Sequence, residues 1–455
     1  MKLIYIPIEI KARELVSKLL FIAENINEKF VFFIGDKMAI KNAILSLGKG
    51  VYFYKSINWY DSPHINRVKN KGNKYVSQDE ESGATQSNQS NFQLILNRRS
   101  SEQNLSLVDK IFTWGDFDQK GWQNRYYKYK KKIIKTGSPR IDLWRKKIYL
   151  KIFEDEISYL KKHSPFIFIP STFVSSNNWL RKLINLEKKT KKEIKNESIT
   201  FTKKRIDQYK NLHRGFLEYV ELIKKLSMDF PNHKILVKPK PEENIIDWKK
   251  KFNQKKYSNI VIDNKFELTA YIAAAECVIF TDSTAGIQSV IMGKKTISYN
   301  PSNLKSLRNF ANKCVPNAKN YKTLKKFINQ DISKEQSILK KKIKKRFYIS
   351  KKTSSKIIMK HIKKIELENI NMNFFNYRIN LFSIYFFLID YIKFFLNDFK
   401  NIIFNNSKFK SYSLKMQGGI KKKEVEKIFQ KLNILDKTKI IKFGKSGYVI
   451  HKKIN

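Results

Sequence analysis

The run "ECVIFTDSTAGIQSVIMGKKTISYN" passes from an apolar segment, through a small polar turn, into residues at helical spacing. A strand that ends this way before a helix presents free backbone N–H groups, and such groups suit an anion. Ser283 or Thr284 is placed to cap the helix. Gly286 permits close approach of a ligand, and Gln288, one turn in, can reach a ribose or sugar hydroxyl. With Asp282 these form the first candidate group. The competing reading is an ordinary capped helix after a strand. A second group is "ILVKPKPEE", where an apolar run ends in Lys238 and Lys240 around Pro239, followed by Glu242. The prolines end the strand sharply. Two ammonium groups at the carboxyl edge of a sheet can hold phosphate as point charges; two solvated lysines are the plainer alternative. A third group is "KTGSPRIDLW", with Gly137, Ser138, Arg140 and Asp142 in a turn between two strand–helix series. Its position suits an interdomain hinge facing a cleft, or a plain linker.

The elements that must position these groups follow from periodicity. In the first 145 residues "KLIYIPI", "FVFFIGD", "VYFY" and "KIFTWGD" read as buried strands, and "ARELVSKLLFIAENI" has helical spacing. From about residue 165 "FIFIPST", "KILVKPK", "NIVID", "CVIFTDS" and "KTISYN" form a second series, with helical patterns between several of them. Strand alternating with helix predicts parallel sheets with helical crossovers. Residues 181–211 read as a lysine-rich insertion without legible chemistry. Residues 335–370 read as basic helix, and 374–404 carry a dense aromatic run that fits either a helix in a membrane interface or one packed on the core. "QGGIKKKEVEKIFQKLNIL" and "KIIKFGKSGYVIH" read as helix and then hairpin, turning at Gly444 to Gly447.

Bulk properties narrow the classes. With 455 residues and 42% hydrophobic content the chain is globular and long enough for two or three domains. Its formal charge of +52 favours anionic partners, although an A/T-rich coding bias accounts for abundant Lys, Asn, Ile and Phe together. Two cysteines, Cys277 and Cys314, exclude a disulfide framework and point to a reducing, cytoplasmic setting. No signal peptide and no membrane span are expected. Six scattered histidines have no metal-ligand spacing, so no metal site is expected. There is no Walker loop, no G-x-G-x-x-G and no catalytic triad. Nor is there a recognisable nucleic-acid module, so no specific nucleic acid is expected; a basic, non-enzymatic nucleic-acid binder stays as an alternative.

Taken in order, "IPIEIKAREL", "SQDEESG", "WGD", "TGSPRID", "VKPKPEE" and "TDSTAGIQSVIMGKKTISY" resemble the motifs of the bacterial surface carbohydrate biosynthesis protein family. That family is similar to CDP-glycerol glycerophosphotransferases, capsular polysaccharide transferases and UDP-N-acetylglucosamine 2-epimerases. The resemblance covers roughly residues 1–330. It implies a GT-B-like α/β fold: two Rossmann-like domains, the second binding most of a nucleotide-activated donor. In relatives a histidine of the proline-rich turn contacts donor phosphate; here Lys240 stands in its place. A lysine of ordinary pKa keeps the positive charge but does not exchange protons near neutrality.

The expected organisation is an acceptor domain (1–145), a donor domain (146–335), a basic and aromatic helical segment (336–408) and a helix–hairpin tail (409–455). The expected activity is transfer of a sugar or polyol phosphate from a nucleotide-diphosphate donor to a lipid-linked or anionic saccharide, in capsule or lipopolysaccharide synthesis. The donor acts as co-substrate, with no tightly bound cofactor. A UDP-sugar 2-epimerase-like enzyme is the alternative. Transfer needs a base for the acceptor hydroxyl and cations or N–H groups for the leaving phosphate. Glu80 or Glu81 is favoured as base, with Glu9, Arg13 and Glu14 on the acceptor side; a solvated acidic loop is the competing reading of 77–83. The expected location is the cytoplasm, with the inner membrane face as a contact surface.

Overall fold

The computed structural model describes residues 1–27, 29–80, 86–173, 199–241, 243–281, 283–300, 310–331, 333–369, 381, 382, 384, 385, 388, 415, 416 and 418–453. Backbone packing divides the chain into two compact units, Met1–Ile152 with Lys341–Asn455, and Phe153–Lys340.

In the first unit β1 (Lys2–Ile8), β2 (Phe30–Asp36), β3 (Gly50–Tyr54), β4 (Lys74–Gln78), β5 (Lys110–Thr113) and β6 (Ile133–Lys135) are parallel, in the order β2-β1-β3-β4-β5-β6. Their near-continuous apolar sequence is what a sheet covered on both faces requires. On one face Tyr5, Phe33, Tyr52 and Tyr75 form a core with residues of helices Lys37–Ser46, Ser62–Asn70 and Gln89–Arg99. On the other, Phe21 of helix Lys11–Asn25 stands edge-on to Phe32 and Phe53. The first crossover ends on Asp36, whose carboxylate accepts the N–H groups of Met38 and Ala39 and caps the next helix.

The second unit carries β7 (Phe166–Pro170), β8 (Lys234–Lys238), β9 (Ile260–Ile262), β10 (Cys277–Phe280), β11 (Lys295–Tyr299) and β12 (Asn317–Ala318), all parallel. The order is β9-β8-β7-β10-β11-β12. Numbered from β7, this is the 3-2-1-4-5-6 order of dinucleotide-binding sheets, whose direction of winding reverses between the first and fourth strands. The long helix Ile199–Asp229 lays Phe216, Tyr219, Ile223 and Leu226 into a core shared with Ile167, Ile235 and Trp248. Cys277 lies in the sheet, and burial pushes its thiol up to about 12, so it behaves as an apolar residue.

The tail belongs to the first unit. The spacing separates 336–408 and 409–455 from the amino-terminal domain, but β13 (Thr438–Phe443) and β14 (Gly447–Lys452) form a hairpin whose second strand pairs antiparallel with β2. Gly35 and Gly447 permit this: a Cβ on Gly35 would lie 2.9 Å from the Gly447 Cα. The helix before the hairpin, Lys422–Lys431, packs on Lys11–Asn25, where Lys11 Nζ meets Glu424 at 2.7 Å. The basic segment is two helices, Ser333–Arg346 and Ser354–Lys363, rather than one. Most of 374–404 and of 181–211 lies outside the described residues. Within the aromatic run, Phe382 packs on Phe443 while Leu381, Ile384 and Leu388 are exposed. Among the described residues no helix is long and apolar enough to cross a membrane.

Because Ile450 is fully buried opposite Phe32, Ile450→Ala should cost about 2–5 kcal/mol. Urea unfolding followed by circular dichroism should show the first unit's transition moving to lower urea. An unmoved transition would mean that the tail is an appendage.

Candidate functional site

The register of the second sheet brings its loop starts level. Pro170 pairs with Lys238, and Phe168 pairs with Val278, so β7, β8 and β10 all end at one edge. Ser171 N donates to Lys238 O at 2.9 Å and fastens the first two exits together. The reversal of winding falls between β7 and β10, the point at which the crossovers of such a sheet pass to opposite faces. Thr281 and Ser283 follow β10 directly at that point.

Ser283 caps helix Thr284–Ile291, its hydroxyl accepting the Ala285 N–H at 3.2 Å. Of the two residues the sequence offers as cap, Ser283 takes that place and Thr284 is the first helical residue. Lys238 emerges from β8 with its ammonium 5.0 Å from the Tyr271 ring centre. Burial lowers its pKa to about 8, against the opposing pull of Glu267 and Asp263. Lys238 is therefore a cation at neutral pH that releases its proton within reach of physiological pH. Lys240, at the same turn, is exposed. Lys238, Lys240, Ser283 and Thr284 thus share one sheet edge.

Two members of the candidate group do other work. Gly286 is buried, and a Cβ there would lie 2.3 Å from the Phe280 ring; the ring, not a ligand, uses the space. Gln288 points inward and donates to Thr269 Oγ1 at 2.8 Å, tying two helices together instead of reaching a sugar. Glu242 and Asp282 lie outside the described residues. Two residues of this edge escape sequence reasoning. Glu243 is buried, accepts from Ser171 Oγ at 2.6 Å and Trp248 Nε1 at 2.7 Å, and has its pKa raised by burial. Asn312 donates to Ser298 Oγ at 2.7 Å and to the Thr281 carbonyl, which fixes the turn after β10. Neither carries a local signal: Glu243 is chemically identical to its neighbour Glu242, and Asn312 acts across the fold.

In the first unit Glu9 follows β1. It accepts from Tyr54 OH at 3.1 Å and meets Lys37 at 2.6 Å and Lys55 at 3.2 Å. Burial opposes its ionisation, but Lys55 and Lys37 outweigh it and hold the carboxyl at about 2. Glu14 is wholly buried and accepts the N–H groups of Glu9 and Ile10, which lie just ahead of its own helix. Arg13 lies 3.6 Å from it. Glu80 is 4% exposed and sits 3.0 Å from the buried Lys18 ammonium and 3.9 Å from Arg140. Burial would raise its pKa, yet Lys18 and Arg140 bring it below the ordinary value. A carboxylate so held is a weak proton acceptor, and the part of catalytic base predicted for it becomes a positioning part. Glu81 lies outside the described residues.

The expected hinge is also corrected. Gly137, Ser138, Arg140 and Asp142 are all buried within the first unit. Gly137 has φ +78°, and a Cβ there would meet Tyr348 O at 2.7 Å. Ser138 caps helix Pro139–Arg145, Arg140 Nη1 donates to Glu80 O at 2.8 Å, and Asp142 accepts from Arg145 and from Ser354 N. The turn clamps the returning chain at 348–354 and orients the Glu80 ion group.

Two mostly parallel, Rossmann-like sheets in one chain make this a GT-B-like α/β protein, the fold class that the motif resemblance implies. No family model matches the sequence, and no curated protein matches it. Among solved structures it is similar to the wall teichoic acid polymerase TagF, at 10% identity and a TM-score of 0.49, over 80% of this chain and 89% of that one. It is similar to the UDP-GlcNAc 2-epimerase from Neisseria meningitidis bound to UDP-GlcNAc, at 10% identity and a TM-score of 0.46, over 80% of this chain and 100% of that one. The UDP-GlcNAc 2-epimerase from Methanocaldococcus jannaschii aligns at 11% identity and a TM-score of 0.44, over the same shares. Likeness at this level carries nothing about chemistry, which rests on the residues of the site.

Glu80→Gln should destabilise the protein by about 3–5 kcal/mol at pH 7, because Lys18 and Arg140 lose their buried counter-charge. Glu80 has a lowered folded pKa, so its contribution is present above the unfolded value of 4.5 and fades as pH falls through the folded one. Chemical denaturation at pH 7 and pH 4 should show the gap between variant and wild type narrowing with acid. An equal gap at both would contradict the ion-pair account.

Proposed function

We propose that the chain is a transferase that takes a sugar or polyol phosphate from a nucleotide-diphosphate-linked donor and acts in the synthesis of a surface polysaccharide. The observation that carries this reading is the convergence of Lys238 with the Ser283-capped helix at the winding reversal of one parallel sheet. A donor diphosphate at that edge meets an ammonium group on one side and helix N–H groups on the other.

In sugar transfer the bond from the anomeric carbon to the diphosphate oxygen breaks, and the leaving nucleotide gains negative charge. In polyol-phosphate transfer the phosphoanhydride breaks and a nucleoside monophosphate leaves. In either case charge develops on phosphate oxygen, and a fixed cation with fixed N–H donors stabilises it more in the transition state than in the bound donor. Lys238, with its pKa near 8, can also pass a proton to the departing phosphate. The acceptor is a saccharide hydroxyl, on a lipid-linked or anionic precursor. The donor is a co-substrate, and the setting is the cytoplasm, where such donors are made; contact with the inner membrane face belongs to the same reading.

Calorimetry with UDP-, CDP- and GDP-linked donors tests this. At least one should bind, and Lys238→Met should weaken it roughly 10-fold or more, as expected for a charge-assisted hydrogen bond. Affinity should fall as pH rises through about 8, because the free protein's Lys238 loses its proton there, and Lys238→Met should remove that dependence. Binding indifferent both to the substitution and to pH would overturn the assignment.

A further inference from the structure

The elements that cover the Tyr5–Phe33–Tyr52–Tyr75 face of the first sheet have outer surfaces of one chemical kind. Helix Lys37–Ser46 turns Ala39, Ile40, Ala43 and Ile44 into that core and leaves Met38 and Leu45, two turns apart, exposed. Helix Gln89–Arg99 buries Phe92 and Leu96 there and exposes Leu94. Leu381, Ile384, Tyr385 and Leu388 are exposed at helical spacing beside Phe382, which enters the same core. Among the described residues of the first unit, every exposed large apolar side chain except Ile148 lies on or directly beside an element packed on this core. Exposed apolar residues scattered singly are ordinary; confinement of nearly all of them to one layer is not.

The charge of the layer is equally one-sided. Helices Lys37–Ser46, Ser62–Asn70 and Gln89–Arg99 carry Lys37, Lys41, Arg67, Lys69, Arg98 and Arg99 and no Asp or Glu. On the opposite face of the sheet, helix Lys11–Asn25 and the helix Lys422–Lys431 that packs on it mix Glu14, Glu24, Glu424 and Glu426 among their lysines.

Two rings complete the layer. Trp59 and Tyr60, just before helix Ser62–Asn70, are 60% and 59% exposed. Their turn is tied down: fully buried Asn104 donates to the Asn58 carbonyl at 2.6 Å, and Ser62 Oγ donates to Trp59 O at 2.6 Å. The rings therefore stand on a fixed platform. Trp and Tyr, apolar in body and polar at the tip, are the side chains that favour a boundary between hydrocarbon and water.

We propose that this layer of the first unit adsorbs to an anionic lipid bilayer, with Trp59 and Tyr60 in the interface and the Lys and Arg side chains among the headgroups. Charge complementarity selects the anionic surface, and burial of apolar area adds to it. A nucleic-acid backbone meets the cations but offers Met38, Leu45 and Leu94 nothing, whereas a bilayer meets both. That the bilayer carries a lipid-linked acceptor rests on the transferase reading; the adsorption itself does not.

The test is sedimentation of the full chain with vesicles of phosphatidylglycerol and phosphatidylethanolamine, against pure phosphatidylcholine. The chain should bind the first and not the second. Trp59→Ala with Tyr60→Ala, which leaves the charge untouched, should weaken binding roughly 10-fold, and Arg67→Glu with Arg98→Glu should weaken it at least as much. Ile148→Ala should change nothing: its neighbour Tyr149 donates to Glu24 on the opposite layer. All these side chains are exposed, so melting temperatures should stay unchanged, which separates lost binding from lost folding. Brominated phosphatidylglycerol should quench tryptophan fluorescence in wild type and less in Trp59→Phe. Absence of vesicle binding overturns the proposal. So does equal binding by wild type and the Trp59/Tyr60 variant, since the charge of +52 would then act without a preferred face. Duplex DNA binding that depends on Trp59, with no such dependence for vesicles, overturns it as well. Calorimetry with the nucleotide-diphosphate donors keeps the two readings apart: vesicle binding without any donor binding sinks the transferase reading and leaves this one standing.

Discussion

Parallel strands that share one register must release their loops on one edge, and the candidate donor site depends on that constraint. In the second unit the pairs Pro170–Lys238 and Phe168–Val278 make the ends of β7, β8 and β10 level. Right-handed crossovers then force helices to opposite faces on either side of the β7–β10 boundary. The turn after β10 is left at that edge, where Ser283 caps the start of helix Thr284–Ile291. Lys238, one strand away from that boundary, brings the compensating charge. Burial lowers its pKa to about 8, so it is a cation at neutral pH.

The first unit is organised by buried charge. Lys18, Glu80 and Arg140 form an ion group in the interior, and Arg140 also lies over the Trp144 ring. Such groups are costly to break and specify one arrangement of the elements that carry them. Here they join helix Lys11–Asn25, the exit of β4 and the turn at Gly137–Asp142. The tail closes the same unit from the other side by adding a strand to β2, which would otherwise be an exposed sheet edge.

Much of this was legible in the sequence because buried parallel strands announce themselves as unbroken apolar runs. The runs at 2–8, 30–36, 166–170, 234–238 and 277–280 became strands, and the hairpin turned where its glycines predicted. A cap at Ser283 or Thr284 was legible for the same local reason, and Ser283 supplies it. What failed was the distinction between a residue that faces a ligand and one that faces the core. Gly286 and Gln288 occupy positions of the right type, but Phe280 and Thr269 claim them. The segment Gly137–Asp142 has the composition of a hinge, yet its polar groups are satisfied by Glu80 and Ser354, far away in sequence. Glu80 looked like a base until Lys18, on helix Lys11–Asn25, proved to be its partner. Long-range pairing of charges leaves no periodic trace.

Hydrogen–deuterium exchange of the intact chain, with and without a saturating nucleotide-diphosphate donor, tests the central claim most directly. Donor binding should slow exchange in peptides spanning residues 279–288 and 236–243, because their backbone N–H groups and side chains are the ones held against the diphosphate. Slowed exchange confined to the first unit, with both of those stretches unchanged, would contradict it.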